Sequence, residues 1–255
     1  MTDKRIPVAL QLYTVRDQTE RDFLGTLKQV AAIGYSTVEL AGTGGLGAQE
    51  LKQALDDLGL RCIGGHVSID QFDQDREGAI ATYRTLGAAF ITIPYLPESL
   101  RPDAAGYRAV AQRLNAIGAA CAQEGITLCY HNHSFEFERF DGRYGLEILL
   151  EASDPALLKW QADVFWIAYA GLEPGAWLRR YPGRAPLIHL KDGYLGVSPV
   201  HFAEVGEGEV GFKAVFAAAA TAGAQCYIVE QDRCDRPSLE SAALSLKHLK
   251  EWGIA

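Results

Sequence analysis

The sequence predicts a single-domain (β/α)8 TIM barrel of the α/β class, spanning residues 1–255. Two observations carry this. Short apolar runs alternate with longer segments rich in Ala, Leu and charged residues, at a nearly constant period. Eight such units divide 255 residues into pieces of about 32, which matches barrels of ~250 residues in all. A doubly wound open sheet is the alternative. It would need fewer strands or a second domain, and no Pro/Ser-rich linker, repeat or low-complexity tract divides the chain.

The eight runs are Val8–Leu12, Thr37–Leu40, Arg61–Gly65, Phe90–Ile93, Ile126–Tyr130, Lys159–Ala162, Pro186–Leu190 and Cys226–Val229. Each is short, apolar and flanked by Gly, Asp, Asn or Pro, as buried parallel strands are. The segments between them read as amphipathic helices. Asp22–Ile33 places Phe23, Leu27, Val30 and Ala31 at helical spacing and stops at Gly34. Ala48–Leu58, Asp103–Glu124 and Gly211–Ala222 stop in the same way at Gly59, Gly125 and Gly223. Glycine there permits the left-handed conformation that ends a helix.

Lys and Arg number 24 against 32 Asp and Glu, a formal net charge of −8. That balance excludes nucleic acid as an expected partner, because phosphate backbones call for clustered Lys and Arg. It also argues against docking on an anionic membrane. No stretch approaches the ~18 apolar residues of a bilayer span, and the start of the chain lacks the apolar run of a signal peptide. Five scattered cysteines without a CxxC pair fit neither a disulfide framework nor a zinc ribbon. Reduced thiols in a cytoplasmic protein are the expectation.

A barrel places function at the carboxyl ends of its strands. Those ends read Gln11-Leu-Tyr13, Glu39, His66, Pro94-Tyr95, His131-Asn-His133-Ser-Phe-Glu136, Asp163-Val-Phe165-Trp166, His189-Leu-Lys191-Asp192 and Glu230-Gln-Asp232. Four of the six histidines fall on this one face. The acid–imidazole set Glu136, Asp163, His189 and Glu230 comes from consecutive strands and can converge above the barrel. Three carboxylates would repel one another there without a cation. Mixed oxygen and nitrogen donors suit a divalent ion such as Mn²⁺, Mg²⁺, Co²⁺, Fe²⁺ or Zn²⁺.

The ordered series Asp163-Val-Phe-Trp166, Arg179-Arg-Tyr-Pro-Gly-Arg184, His189-Leu-Lys-Asp-Gly193, Val205-Gly-Glu-Gly-Glu-Val-Gly-Phe212 and Val229-Glu-Gln-Asp232 resembles the sugar phosphate isomerase/epimerase family, of the xylose isomerase-like barrel superfamily. Gln11-Leu-Tyr-Thr-Val-Arg16 and His131-Asn-His-Ser-Phe-Glu136-Phe are similar to the same family. The resemblance implies one divalent metal, Mn²⁺ foremost, held by a Glu, Asp, His, Glu set. It carries onto Asp163, His189 and Glu230. The epimerases resembled place the first Glu inside strand 5, whereas Glu136 lies past it. Either the loop returns Glu136 to the metal, which is the preferred reading, or a histidine such as His133 replaces it.

The activity expected is that of a metal-dependent isomerase or epimerase acting on a small unphosphorylated sugar or cyclitol through an enediolate. The alternative is a lyase, a dehydratase or glycoside-eliminating enzyme, using the same site on a keto-sugar or inosose. In either, Glu136 and Glu230 are expected to combine metal ligation with proton transfer. His131 or His133 acts as general acid, and Lys191 stabilises the enediolate oxygen. Tyr13, His66, His133, Phe165 and Trp166 would line the sugar pocket. A homodimer is left open.

Gly42-Thr-Gly-Gly-Leu-Gly47 has the letters of a dinucleotide fingerprint, but it follows the second strand rather than the first. Glu204, Glu207 and Glu209 crowd the connection after strand 7, where many barrels hold phosphate, and argue against a phosphorylated substrate.

Overall fold

Eight parallel strands encircle one axis: β1 (Val8–Gln11), β2 (Thr37–Leu40), β3 (Arg61–Gly65), β4 (Phe90–Ile93), β5 (Thr127–His131), β6 (Leu158–Asp163), β7 (Leu187–Leu190) and β8 (Cys226–Val229). They are seen in a computed structural model that describes residues 5–255. The first four residues, where the reading for a leader begins, lie outside the described residues. Hydrogen bonding runs β3–β2–β1–β8–β7–β6–β5–β4. The two outer strands meet through a bridge between His66 and Thr92, with Val67 N–H donating to Thr92 O at 2.9 Å and Ala89 N–H to Ile63 O at 3.1 Å. Gly64 makes that seam feasible. A Cβ on it would sit 2.6 Å from the Phe90 carbonyl oxygen.

The helices that cover the barrel are α1 (Phe23–Ile33), α2 (Ala48–Asp57), α3 (Ile69–Thr85), α4 (Ala104–Gln123), α5 (Gly145–Ala152), α6 (Val164–Tyr169), α7 (Pro174–Arg180), α8 (Phe212–Ala222) and α9 (Ser238–Glu251). The expected ends of α1 and α4 shift by one residue because Asp22 and Asp103 are caps, accepting from the N–H groups of Gly25 and Gly106. Gly34 and Gly223 close α1 and α8 in the left-handed conformation, at φ +111° and +78°. Among the described residues no helix is long and apolar enough to cross a membrane.

Two strand ends differ from expectation in a way that matters. β5 runs on to His131 and β6 to Asp163, so both side chains are set by strand geometry rather than by a loop. Inside the barrel, Ala9, Ile63, Phe90, Cys129, Leu187, Cys226 and Ile228 form an apolar plug. Side chains two residues further along point the same way. There the lumen turns polar, with Gln11, Glu39, Thr92, His131, Gln161 and His189 all buried. Cys62, Cys121, Cys129 and Cys226 are buried free thiols and Cys234 is half-buried.

Candidate active site

The polar layer is built around Glu39, which is 0% exposed. One of its oxygens, Oε2, accepts from Gln11 Nε2 at 2.7 Å and His189 Nε2 at 2.8 Å, and His66 Nε2 lies 3.3 Å away. The other, Oε1, accepts from Gln161 Nε2 at 2.6 Å. A register shift between β2 and β3 at Val38/Glu39 sits beside this residue, and such bulges re-aim side chains near sites. Burial alone would raise the Glu39 carboxyl. His66 and His189 outweigh it and hold the group below the usual carboxylate range.

Gln161 carries the pattern outward. Its amide nitrogen is committed to Glu39 and, at 3.2 Å, to Thr92 Oγ1. Its amide oxygen therefore faces His66 Nε2 at 2.9 Å and His131 Nδ1 at 3.0 Å. Both must donate, which assigns the proton of His131 to Nδ1. Burial, then the neighbouring His189 and His133, keep His131 neutral, with its pKa well below the usual range.

His131 Nε2 is then a lone pair, and it points at Asp163 Oδ2 from 3.6 Å. That oxygen is buried and accepts no hydrogen bond, although Lys191 Nζ forms an ion pair with it at 3.1 Å. Two acceptors facing each other in a protein interior favour positive charge beside them; the Lys191 ammonium meets one of them, and a metal ion could serve both. Donor atoms from His131, Asp163, His189 and Glu230 all lie within 4.8 Å of one another. The residues fit a divalent ion. His66, His131 and His189 also lie close enough together to share one, but no carboxylate is a donor within that group, and Glu39 beside it is already engaged by His66 and His189.

Asp163 reaches the cluster because its other oxygen caps α6, accepting from Trp166 N–H at 3.1 Å. Asn132 ties β5 to β6 by accepting from Trp160 Nε1 at 2.7 Å and from Asp163 N–H at 3.1 Å. Burial pushes the Asp163 carboxyl up to about 6, partly offset by Lys191 and His189. Lys191 is 1% exposed and bridges Asp163, Glu230 Oε2 at 2.9 Å and Asp232 Oδ1 at 2.9 Å. Burial opposes its charge, yet these carboxylates hold its pKa well above the usual lysine value. For Glu230 burial works upward and loses to Lys191 and His189, so it stays ionised. His189 donates from both ring nitrogens, to Glu39 and to Glu230 at 2.9 Å. Against burial, these two raise it to about 10.

Above the cluster opens a cavity of about 710 Å³, walled by Tyr13, His66, Tyr95, His133, Trp166 and Phe202. His131, Lys191, Glu230 and Asp232 form its floor. His133 Nδ1 and Trp166 Nε1 have no hydrogen-bond partner in the protein. Burial and the nearby Lys191 lower His133 to about 3, so it presents a neutral imidazole.

Asp163, His189, Glu230, His131 and Lys191 thus converge, and Tyr13, His66, His133 and Trp166 line the cavity as expected from the strand ends. Glu136 does not join them. Its carboxylate accepts from Tyr130 Oη and from His133 N–H at 2.8 Å, below the loop rather than at the cluster. The reason is that the 3-10 turn Phe135–Phe137 folds it back beneath β5, where burial raises it to about 7. The β5 residue whose donor atom lies in the cluster is His131. Phe165 does not line the cavity either. It is fully buried behind Trp166, at a ring separation of 5.1 Å, because the first turn of α6 points it inward.

Sequence reading leaves Glu39 at a strand end without a role and passes over Gln11, Gln161, Asn132 and Asp232 as functional residues. A signal existed for three of them. A charged or amide residue in an otherwise apolar strand, as in Thr37-Val-Glu39-Leu, needs partners in the lumen.

The three acids after β7 serve the loop itself. Glu204 and Glu207 pair with Arg236 at 2.9 Å, and Glu209 accepts from Leu195 N–H. Asp192 accepts from four backbone N–H groups, those of Gly193, Gly206, Gly208 and Val210, at 2.8–3.1 Å. A carboxylate of the chain already fills the amide cradle that a phosphate would use.

Comparison with known proteins agrees with this architecture. A family profile described as xylose isomerase-like TIM barrel matches residues 27–252. A solved sugar phosphate isomerase/epimerase from Parabacteroides distasonis ATCC 8503 superposes with a TM-score of 0.84 at 25% identity, covering 98% of this chain and 96% of that one. The IolI protein with a binding zinc atom superposes with a TM-score of 0.77 at 12% identity, covering 97% and 98%, a likeness of fold. An inosose dehydratase of Clostridium perfringens is 25% identical over 163 residues, 57% of this chain. The match spans about half the length of that relative, 54%.

Proposed function

Since the chain belongs to the xylose isomerase-like TIM-barrel family, we propose that it removes a proton next to the carbonyl of an unphosphorylated sugar or cyclitol and expels a β-hydroxyl or glycosyl group. The observation that carries this reading is the convergence of His131, Asp163, His189 and Glu230 beneath an aromatic-walled cavity. These four residues would hold a divalent cation, Mn²⁺ foremost by the family resemblance, with His189 giving up one of its two ring protons to ligate it. Bound there, it would polarise the carbonyl and acidify the adjacent C–H.

The side chains supply the rest. Glu230 is ionised at the cavity floor and serves as the base that takes the carbon-bound proton. The Lys191 ammonium donates to the oxygen on which negative charge develops. As the C–H pair moves into the new C=C bond, the β C–O bond breaks. The departing oxygen receives the proton that Glu230 has taken up, with the neutral His133 imidazole on the facing wall hydrogen-bonding to it, and water or an alcohol leaves. Trp166 and Tyr95 give apolar faces on which a pyranose or cyclitol ring can rest. The filled cradle around Asp192 supports a substrate without phosphate.

Loss of a β-substituent is favoured over epimerisation by the position of Glu136. A two-base epimerase built on paired carboxylates needs one on each side of the substrate. Here β5 contributes imidazoles, while Asp163, Glu230 and Asp232 lie together around Lys191. The dehydratase relatives support the same preference. Isomerase or epimerase chemistry is the second reading, supported by the likeness to the Parabacteroides protein.

Incubating keto-sugars and inososes with the enzyme and Mn²⁺ in D₂O, followed by NMR, separates them. Loss of water or aglycone supports the lyase, and deuterium exchange without loss supports the isomerase. Glu230→Gln should lower turnover by about 10³-fold and reduce bound metal. Unchanged turnover in that variant, or neither loss nor exchange on any substrate of these classes, would sink the reading.

A further inference from the structure

The donor and acceptor pattern beneath the cluster has only one consistent solution, and it fixes how His131 presents itself. We propose that Glu39 and Gln161 are positioning residues that form a proton-ordering relay: the Glu39 carboxylate orients the Gln161 amide, and that amide holds His131 in the Nδ1–H tautomer, leaving Nε2 free to bind a metal. The inference rests on the metal reading above and deepens it.

Every contact of Glu39 is with a donor. Gln11, His66 and His189 nitrogens surround Oε2, and the Gln161 amide nitrogen meets Oε1. A carboxylate is the side chain that can accept on both sides. A glutamine at this position would aim its NH₂ at a donor in either orientation. Relief comes when the Gln161 amide turns over and accepts from position 39. Its NH₂ then faces His131 Nδ1, now 3.0 Å from the Gln161 oxygen. His131 Nδ1 must become the acceptor, and its proton moves to Nε2, the atom facing Asp163. One buried change of NH₂ for O, two hydrogen bonds away, thereby removes a lone pair from the cluster. Outer partners of metal-binding histidines act in this way and are worth roughly 10- to 100-fold in affinity.

The test uses the metal-free and the metal-loaded full chain. Imidazole ¹⁵N NMR of the metal-free wild type should show His131 as Nδ1–H, and Glu39→Gln should show it as Nε2–H. Titration calorimetry with Mn²⁺ and Zn²⁺ should show an affinity about 10- to 100-fold weaker in Glu39→Gln. The double variant E39Q/Q161E exchanges amide and carboxylate and restores every donor–acceptor pair. It should regain the Nδ1–H signature and metal affinity within a few-fold of wild type. A residue that only supported the fold would not shift the tautomer. An unchanged His131 tautomer in Glu39→Gln overturns the proposal, as does a folded double variant no better than the single one. If Glu39→Gln fails to fold, the double variant decides alone. If the wild type binds no divalent cation, the metal reading fails, while the tautomer signatures still decide the relay.

Discussion

The two ends of the barrel lumen use the same eight strands and are chemical opposites. At the floor, Ala9, Phe90, Cys129, Leu187 and Ile228 pack into a dry plug. Two residues further along the same strands stand Gln11, Thr92, His131, His189 and Glu230. Side chains two apart share a face, so one step of the pleat converts core into chemistry. The plug tolerates no water and holds the frame. The layer above tolerates no apolar substitute, because every buried donor there needs its acceptor.

Breaking the upper layer should produce the largest effect. Lys191→Met removes the ammonium from between Asp163, Glu230 and Asp232. Loss of one partner from a buried charge group costs about 3–5 kcal/mol, and urea melts of the metal-free protein should show it. Turnover should fall about 10²- to 10³-fold with the donor to the developing oxyanion gone. Added divalent cation should restore part of the stability but not the rate. A variant as stable and as active as wild type would show that the ammonium is a bystander.

Breaking the floor should separate stability from chemistry. Phe90→Ala leaves a cavity in the plug and should cost about 3–5 kcal/mol in urea melts. The folded fraction should keep kcat/KM within a few-fold, because the polar layer keeps its partners. A much larger loss in kcat/KM would mean the two layers are coupled.

Glu136 sharpens the comparison, since it is buried near the site but outside the cluster. Its carboxyl titrates at about 7 in the folded protein, against 4.5 for an unperturbed Glu. Ionisation therefore carries no penalty to folding below pH 4.5, a growing one up to pH 7, and the full one above. Glu136→Gln should match wild type in stability near pH 4.5 and exceed it at pH 8 by about 1–2 kcal/mol. Paired denaturant melts at the two pH values check this, and a variant equally destabilised at both would reject it.

The fold was legible because its signals are local. Eight apolar runs and Gly stops locate most strands and several helices to within a residue, as at strand Phe90–Ile93 and helix Phe212–Ala222. Asp163, His189, Glu230 and Lys191 were legible as polar residues at strand ends. Glu136 was misplaced because a turn of three residues decides whether a loop carboxylate points up or back. Phe165 was misplaced because facing in a single helical turn depends on what that turn packs against, here Tyr169 and Phe202.

What the sequence by itself determined is the alternation of strand and helix, the count of eight, and the residue types at each strand end. Those follow from periodicity and backbone conformation, which neighbouring residues set among themselves. Tertiary structure alone decided which of those ends share hydrogen bonds. Glu39 meets Gln161 across 122 positions and His189 across 150. Closing the ring puts them within 3 Å, and only there does a carboxylate's inability to donate dictate the tautomer of a histidine on a third strand.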